Sequence, residues 1–151
     1  MTNSDLANPR ALDDMLLYRL WHVQTAAGRR VAQMCETEFG ITRREWRVLA
    51  QLALAEGQLS SALAERAGLD RARTSRTVSS LADKNLLMRT PRPDDRREVR
   101  LYLTEAGRAT YGALLPRVAQ INQQLLSVFC EEEVALLGAM LERLRVQATA
   151  L

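Results

Sequence analysis

The sequence predicts a mainly α-helical chain with one small β-hairpin, and three observations support this fold class. Apolar residues recur at helical spacing along most of the 151 residues. A stretch that alternates apolar and polar residues, as a half-buried strand does, lies at residues 99–103. A turn rich in proline, aspartate and arginine precedes that stretch. Between residues 59 and 107 the order is helix, tight turn, helix and basic hairpin, an arrangement that fits duplex DNA.

The N-terminal part is expected to be a tail followed by one long helix. Residues 1–10 are polar and predict a flexible tail without a signal peptide. Residues 11–38 place apolar side chains, from Leu12 to Met34, at helical spacing, and Gly40 ends the helix. No apolar run reaches the roughly 20 residues that a membrane span needs. We therefore expect a cytoplasmic protein that does not bind membranes.

The second and third helices begin at clear signals. Thr42 and Glu45 have the spacing of a capping box, which predicts a helix from there to about Glu56. The third helix starts near Ser60, and Gly68 supplies the turn that follows it. These two helices open the predicted DNA-binding core, residues 42–103.

Asp70 is the predicted N-cap of the fourth helix. The buried face of this helix carries Thr74, Val78 and Leu81, and Asn85 ends it, because asparagine tolerates the left-handed backbone of a terminating position. Two strands follow, at about Leu87–Thr90 and Val99–Leu103, with a charged turn between them. The pair forms the hairpin, or wing, of a winged helix-turn-helix.

The C-terminal residues 104–151 predict two more helices. Thr104 caps the fifth, in which Pro116 predicts a kink or a local break. Three glutamates at 131–133 suit the positive end of the sixth. The first, fifth and sixth helices are more apolar than one small domain needs, so we expect residues 11–38 and 104–151 to join two chains in a homodimer. The alternative is one enlarged monomeric core.

Positive charge is concentrated where DNA would lie. Residues 71–100 contain nine basic and four acidic residues, although the net charge of the whole chain is only +3. Such clustering is typical of a phosphate-binding face, whereas a merely solvated surface would spread the charge more evenly. Aromatic residues make up 5% of the chain, which argues against a stacking platform for single strands.

The candidate DNA contacts fall into three groups. The exposed face of the fourth helix is placed in the major groove, where arginine pairs well with guanine; it carries Arg71, Ala72, Arg73, Ser75 and Arg76. The hairpin tip carries Asp95, Arg96 and Arg97, and Arg97 is placed in the minor groove with Asp95 directing its guanidinium. A local surface ion pair is the alternative at the tip. The expected phosphate contacts are Ser79, Ser80, Lys84, Arg89, Arg92 and Arg100.

These motifs resemble those of the MarR family of bacterial transcription regulators. The resemblance covers about residues 12–147, and Asn85 stands where the family more often has glycine. It is carried by Leu59, Leu63-Ala64-Glu65, Gly68-Leu69, Leu87, Arg89, Asp95, Arg97 and residues 101–107. It implies a dimeric winged-helix protein on a palindromic operator, with the same roles for Asp95 and Arg97.

The resemblance also implies regulation by a small molecule, because many relatives bind phenols or aromatic carboxylates. The candidate ligand pocket contains Trp21, His22, Trp46 and Arg47, an aromatic wall with a cation. The alternative is that the tryptophans are ordinary core residues and that Arg47 is a surface residue. Some relatives sense oxidants through cysteine, but Cys35 and Cys130 are each expected to be buried small hydrophobes.

The function expected from the sequence is therefore that of a DNA-binding regulator, most simply a repressor released by an aromatic ligand. No catalytic set, metal site or cofactor motif is expected, because the one histidine stands apart from any nucleophile motif and glycine-rich loops are missing from the sequence. The alternatives are an oxidant sensor that uses Cys35 and a winged-helix protein-interaction module that binds no DNA.

Overall fold

The computed structural model describes residues 6–91 and 99–151, and it confirms the predicted fold class. Within these residues there are six α-helices and a three-stranded antiparallel sheet. The helices α1 to α6 span Leu16–Phe39, Arg43–Leu54, Ser60–Ala67, Arg71–Asp83, Glu105–Leu126 and Glu131–Thr149. The strands β1 to β3 span Gln58–Leu59, Leu87–Pro91 and Val99–Leu103.

The predicted helix ends lie where the backbone conformation requires them. Gly40, Gly68 and Asn85 have φ angles of 63°, 63° and 56°, the left-handed region that ends a helix. Thr42 and Glu45 form the capping box: the Glu45 amide donates to the Thr42 hydroxyl, and the Thr42 amide donates to the Glu45 carboxylate. Local sequence signals thus determine most of the helix boundaries.

Three boundaries differ from the sequence prediction. A one-turn 3₁₀ helix, Leu12–Asp14, precedes α1, because the Asp14 carboxylate accepts hydrogen bonds from two preceding backbone amides. Helix α2 ends at Leu54, two residues before the predicted end. Helix α5 continues through Pro116 without a break. Pro116 has no amide hydrogen to donate to the carbonyl of Gly112, four residues earlier. Gly112 is exposed, so water can take the place of this hydrogen bond.

The sheet contains a strand that the sequence did not reveal. Its order is β1-β3-β2, so β3 is central: Gln58 pairs with Leu101 on one side, and Arg89 pairs with Leu101 on the other. Two residues are too short to display a strand period, which explains why β1 was missed. The sheet holds the base of the hairpin against the helices.

The core lies between α2, α3, α4, the sheet and the facing sides of α1 and α5. Cys35 is fully buried there, as expected. The expectation for Cys130 is wrong: its side chain is exposed, because it precedes α6, a helix that lies away from this core. The largest fully buried side chains are Ile41, Leu49, Leu52, Leu63, Leu81, Leu101, Leu103 and Leu114.

The terminal helices leave much apolar surface uncovered in the single chain. None of the residues of α6, all of which the structure describes, is buried. Its exposed hydrophobic residues are Leu136, Met140, Leu141, Leu144 and Val146. Helix α1 adds Leu17, Leu20 and Val23, and α5 adds Leu115 and Leu125. Large exposed apolar patches mark interaction sites. In the described part of the chain, no helix is both long and apolar enough to cross a membrane.

Candidate nucleic-acid interface

Helix α4 presents one apolar face to the core and one basic face outward. Thr74, Thr77, Val78 and Leu81 are buried, as the periodicity predicted for three of them. The hydroxyls of both threonines donate to backbone carbonyls one turn earlier, so their polar atoms are satisfied inside the core. The opposite face is exposed along its first two turns and carries Arg71, Ala72, Arg73, Ser75 and Arg76. The five candidate major-groove residues therefore share one accessible surface.

Asp70 organises the start of this surface. Its carboxylate accepts a hydrogen bond from the Arg73 amide at 2.8 Å, which caps α4, and lies 3.1 Å from the Arg73 guanidinium. The hydrogen bond from the Arg73 amide lowers the pKa of Asp70, because it stabilises the ionised carboxylate. Asp70 thus holds the guanidinium of Arg73 at the exposed N-terminus of α4, which is the positive end of the helix dipole.

The base of the hairpin lies beside α4. The Arg89 guanidinium, on β2, donates to the Ser79 hydroxyl, on α4, at 2.7 Å, and both residues were predicted phosphate contacts. Their proximity makes one continuous polar surface of the helix and the hairpin. Arg92 and the tip residues Asp95, Arg96 and Arg97 lie outside the described residues, so their roles stay predictions.

Three other predicted phosphate contacts have partners within the protein. Ser80 and Lys84 bind the buried carboxylate of Glu45, at 2.6 Å and 2.8 Å. Arg100 donates to the carbonyl of Gly57 at 2.9 Å, which ties β3 to the residue before β1. The bonds to the buried carboxylate weigh against a phosphate role for Ser80 and Lys84, because each would have to leave Glu45 first. Arg100, like Arg89, donates to a neutral acceptor, and its phosphate role stays a prediction.

The four residues of the candidate ligand pocket fall into two separate clusters. Trp21 and His22 lie on the exposed face of α1 and pack on Tyr18, with ring centroids 5.7 Å and 4.5 Å from it. Trp46 is buried and stacks on Tyr111 at 5.6 Å, so it is the core residue that the alternative described. Arg47 is exposed one position later. The predicted single crevice is therefore not formed in the described chain.

Arg47 lines a different cleft, which the sequence did not predict. This cleft has a volume of about 380 Å³ and opens at the start of α2. Its walls are Glu36, Thr42, Arg43, Arg44 and Arg47. Three arginines in the first two turns of α2 outnumber the one carboxylate, Glu36, so the lining has a net positive charge, which suits an anionic small molecule.

Sequence reasoning also missed the partners of Glu45, which it identified only as half of a capping box. A signal was available: Glu45, Leu49 and Leu52 are spaced i, i+4 and i+7, so the carboxylate lies on the buried face of α2. A buried carboxylate requires a cationic or hydrogen-bonding partner. The sequence alone does not say which of its basic residues supplies it.

Comparisons with known proteins agree with this arrangement. The model of the MarR family matches residues 39–98, which span α2 to the hairpin. A protein of Thauera aromatica, assigned as the transcriptional regulatory protein for the hcr operon, is 30% identical over 144 residues. These cover 94% of this chain and 87% of that protein.

Two solved structures show the same fold with bound molecules. The PcaV transcriptional regulator from Streptomyces coelicolor, in complex with its natural ligand, matches with a TM-score of 0.78 and 26% identity, over 93% of this chain and 99% of PcaV. The transcriptional repressor CouR, bound to a 23-mer DNA duplex, matches with a TM-score of 0.79 and 26% identity, over 89% of this chain and 94% of CouR.

Proposed function

The chain belongs to the MarR family of transcriptional regulators, and from this we propose that it is a homodimeric repressor of a palindromic DNA operator. The observation that carries the proposal is the outward basic face of α4, capped by Asp70 and continued by Arg89 on the hairpin. A helix N-terminus with exposed arginines fits the major groove, where guanidinium groups read guanine. The repressor sense is supported by the likeness to CouR, which is a transcriptional repressor. Such a regulator works in the bacterial cytoplasm, where the chromosome lies.

The homodimer is supported by the uncovered apolar faces of α1, α5 and α6. Helix α6 buries none of its described residues within its own chain. Even its apolar side chains Leu136 and Val146 are more than half exposed. A two-fold axis through the terminal helices would cover these faces and present two copies of α4 on one side. Two recognition helices about one helical turn of DNA apart read the two halves of a palindrome.

We propose further that a small aromatic carboxylate or phenol releases the repressor. The fold accommodates such regulation, since PcaV was solved with its natural ligand. In this chain the arginine-lined cleft at the start of α2 offers the cations that a carboxylate needs. Trp21 and His22 are left out of the proposed ligand site because they lie in another cluster. A ligand acts by favouring a dimer in which the two α4 helices have the wrong spacing.

The structure weighs against the two alternatives. An oxidant sensor needs an accessible thiolate, but burial raises the pKa of the Cys35 thiol, as does the neighbouring Glu36 carboxylate. A protein-interaction module that binds no DNA does not need the three arginines among the five exposed positions on the outward face of α4. We propose no catalytic role, because the relatives are transcriptional regulators.

The proposal is tested by selecting bound duplexes from a random-sequence pool and measuring their Kd at two salt concentrations. Binding should weaken steeply with salt, because each neutralised phosphate releases counterions. Arg73→Ala and Arg76→Ala should relax the sequence preference by the roughly 1–3 kcal/mol of one base contact. Arg97→Ala should cost a similar amount if the hairpin tip enters the minor groove.

The matched control is Arg117→Ala, which removes the same charge from α5, where Arg117 pairs with Glu38. Its DNA affinity and its sequence preference should equal those of the wild type. A wild-type protein that selects no duplex from the pool at low salt contradicts the proposed function. If the Arg73→Ala and Arg76→Ala variants keep the wild-type sequence preference, α4 is not the helix that reads the DNA sequence.

A further inference from the structure

Three helix ends meet at the carboxylate of Glu45: the C-termini of α1 and α4 and the N-terminus of α2. Glu45 is only 2% exposed. Its Oε2 accepts hydrogen bonds from the Thr42 amide at 2.7 Å and from the Lys84 ammonium at 2.8 Å. Its Oε1 accepts one from the Ser80 hydroxyl at 2.6 Å. The carboxylate therefore binds its own helix and α4 at the same time.

Lys84 extends the connection to α1. Its ammonium also donates to the carbonyl of Gly40 at 2.9 Å, and Gly40 is the left-handed residue that ends α1. Lys84 is itself the C-cap residue of α4, directly after Asp83, so one side chain links the C-terminal ends of two helices. We call Glu45, Ser80, Lys84 and Gly40 the helix junction.

The charges of the helix junction match the helix dipoles. The Lys84 ammonium lies at the negative ends of α1 and α4, and the Glu45 carboxylate lies at the positive end of α2. Burial alone would raise the pKa of Glu45, but hydrogen bonds from Lys84 and Ser80 outweigh it and lower the pKa. A buried carboxylate with donors on both oxygens has one favourable arrangement, because displacing α4 removes its partners.

The helices that the junction connects have different tasks. Helix α1 packs against α5 and has an exposed apolar face, which belongs to the proposed dimer contact. Helix α4 carries the exposed arginines. We propose that Glu45, Ser80 and Lys84 are positioning residues that fix α4 relative to α1 and thereby set the half-site spacing the dimer accepts. The inference rests on the proposed function, since it assumes a dimer on DNA.

Half-site spacing is a sensitive measure of this geometry. One inserted base pair moves a half-site by about 3.4 Å along the DNA and about 35° around it. A dimer whose α4 helices are held rigidly fills both half-sites at one spacing and loses affinity at the other. A dimer with a loosened junction can turn each α4 to follow its half-site, so it discriminates less.

The experiment compares Kd on two duplexes: the one that the full wild-type chain selects from a random-sequence pool, and the same duplex with one base pair inserted between the half-sites. In Lys84→Met and in Glu45→Gln we expect the preference for the selected spacing to fall roughly tenfold, the factor that one hydrogen bond to a charged group is worth. Lys84→Arg, which keeps the charge and a donor, should restore most of the preference. All variants are compared at a temperature where circular dichroism shows them fully folded.

Glu45→Gln separates positioning from direct contact, because the buried carboxylate does not reach DNA. If Lys84 were a phosphate contact, Lys84→Met would weaken both duplexes equally and reduce the salt slope, and Glu45→Gln would have no effect. Arg117→Met is the control: it breaks the 2.6 Å ion pair between α5 and α1 without touching α4, and the preference should not change.

The outcomes distinguish this inference from the function on which it rests. A wild-type chain that binds no duplex contradicts the proposed function. A wild-type chain that binds both duplexes equally, or junction variants that keep the full spacing preference, overturns the inference alone. An equal loss of affinity on both duplexes in Glu45→Gln also overturns it, because that result reports only lost stability.

Discussion

Gly107 allows a stringent test of how α5 is attached to the DNA-binding core. It is buried in the first turn of α5, where its amide donates to the capping hydroxyl of Thr104 at 2.9 Å. A Cβ at this position would overlap the carbonyl oxygen of Leu86 and lie 2.9 Å from the carbonyl carbon. Ordinary contact begins near 3.4 Å, and the obstructing atoms are backbone, which has little freedom to move.

The expected magnitude is a balance of two terms. Overpacking of this kind costs about 3 kcal/mol or more when backbone must shift, and replacing glycine by alanine in a helix regains about 1 kcal/mol. Gly107→Ala should therefore lower the free energy of unfolding by about 2 kcal/mol or more. In a chain of this size that corresponds to a melting temperature lower by about 4–8 °C.

Gly112→Ala is the matched control, because it makes the same change later in the same helix. Apart from its chain neighbours and the backbone of its own helix, no described atom lies within 4 Å of the position a Cβ would take there. This variant should be as stable as the wild type or more stable, by up to about 1 kcal/mol. Thermal and urea melts followed by circular dichroism measure both variants at equal protein concentration, since dimerisation makes stability depend on concentration. If Gly107→Ala is as stable as Gly112→Ala, the close approach of α5 to Leu86 is wrong.

Two further predictions follow from buried groups. The folded-state pKa of Glu45 is lower than its ordinary value of 4.5, so its ionised form stabilises the fold above that pH, and the contribution is lost as pH falls through the lower folded value. Near neutral pH the free energy of unfolding of the wild type should exceed that of Glu45→Gln by about 1–2 kcal/mol, a discounted value because the Lys84 side chain is 36% exposed. Urea melts should show this difference shrinking below about pH 4.5. A difference that does not change with pH would contradict the ion pair. In a Cys130→Ser variant, Cys35 should react with a maleimide only after denaturation, because it is fully buried. Mass spectrometry measures the labelling. Rapid labelling of the native variant would support the oxidant-sensor alternative.

The elements that sequence predicted well are those with a local physical cause. The capping box at Thr42, the left-handed ends at Gly40 and Asn85, and the cap at Asp70 each involve residues within a few positions of one another. The buried face of α4 followed from spacing alone. Such features need no knowledge of the tertiary structure, so their confirmation was to be expected.

The features that sequence did not predict depend on distant parts of the chain. Strand β1 exists because β3 supplies its partners 41 and 43 positions away, and two residues carry no period of their own. The ligand-pocket prediction grouped Trp21 with Trp46 by chemistry, but α1 and the core place them in different clusters. The residue types in a sequence indicate which side chains could form a site. Only the packing of the helices decides which of those side chains lie next to one another.

Lys84 shows most clearly why charge in a sequence is an ambiguous signal. It belongs to the cationic stretch that predicts a DNA surface, and a phosphate contact was its natural assignment. Glu45 changes this, because a carboxylate on the apolar face of α2 must recruit a donor, and the end of α4 provides it at 2.8 Å. The cation is then committed to the junction between α1 and α4. A basic residue near a recognition helix therefore has two distinct uses, binding DNA or aiming the helix that binds it, and the salt slope of Lys84→Met tells them apart.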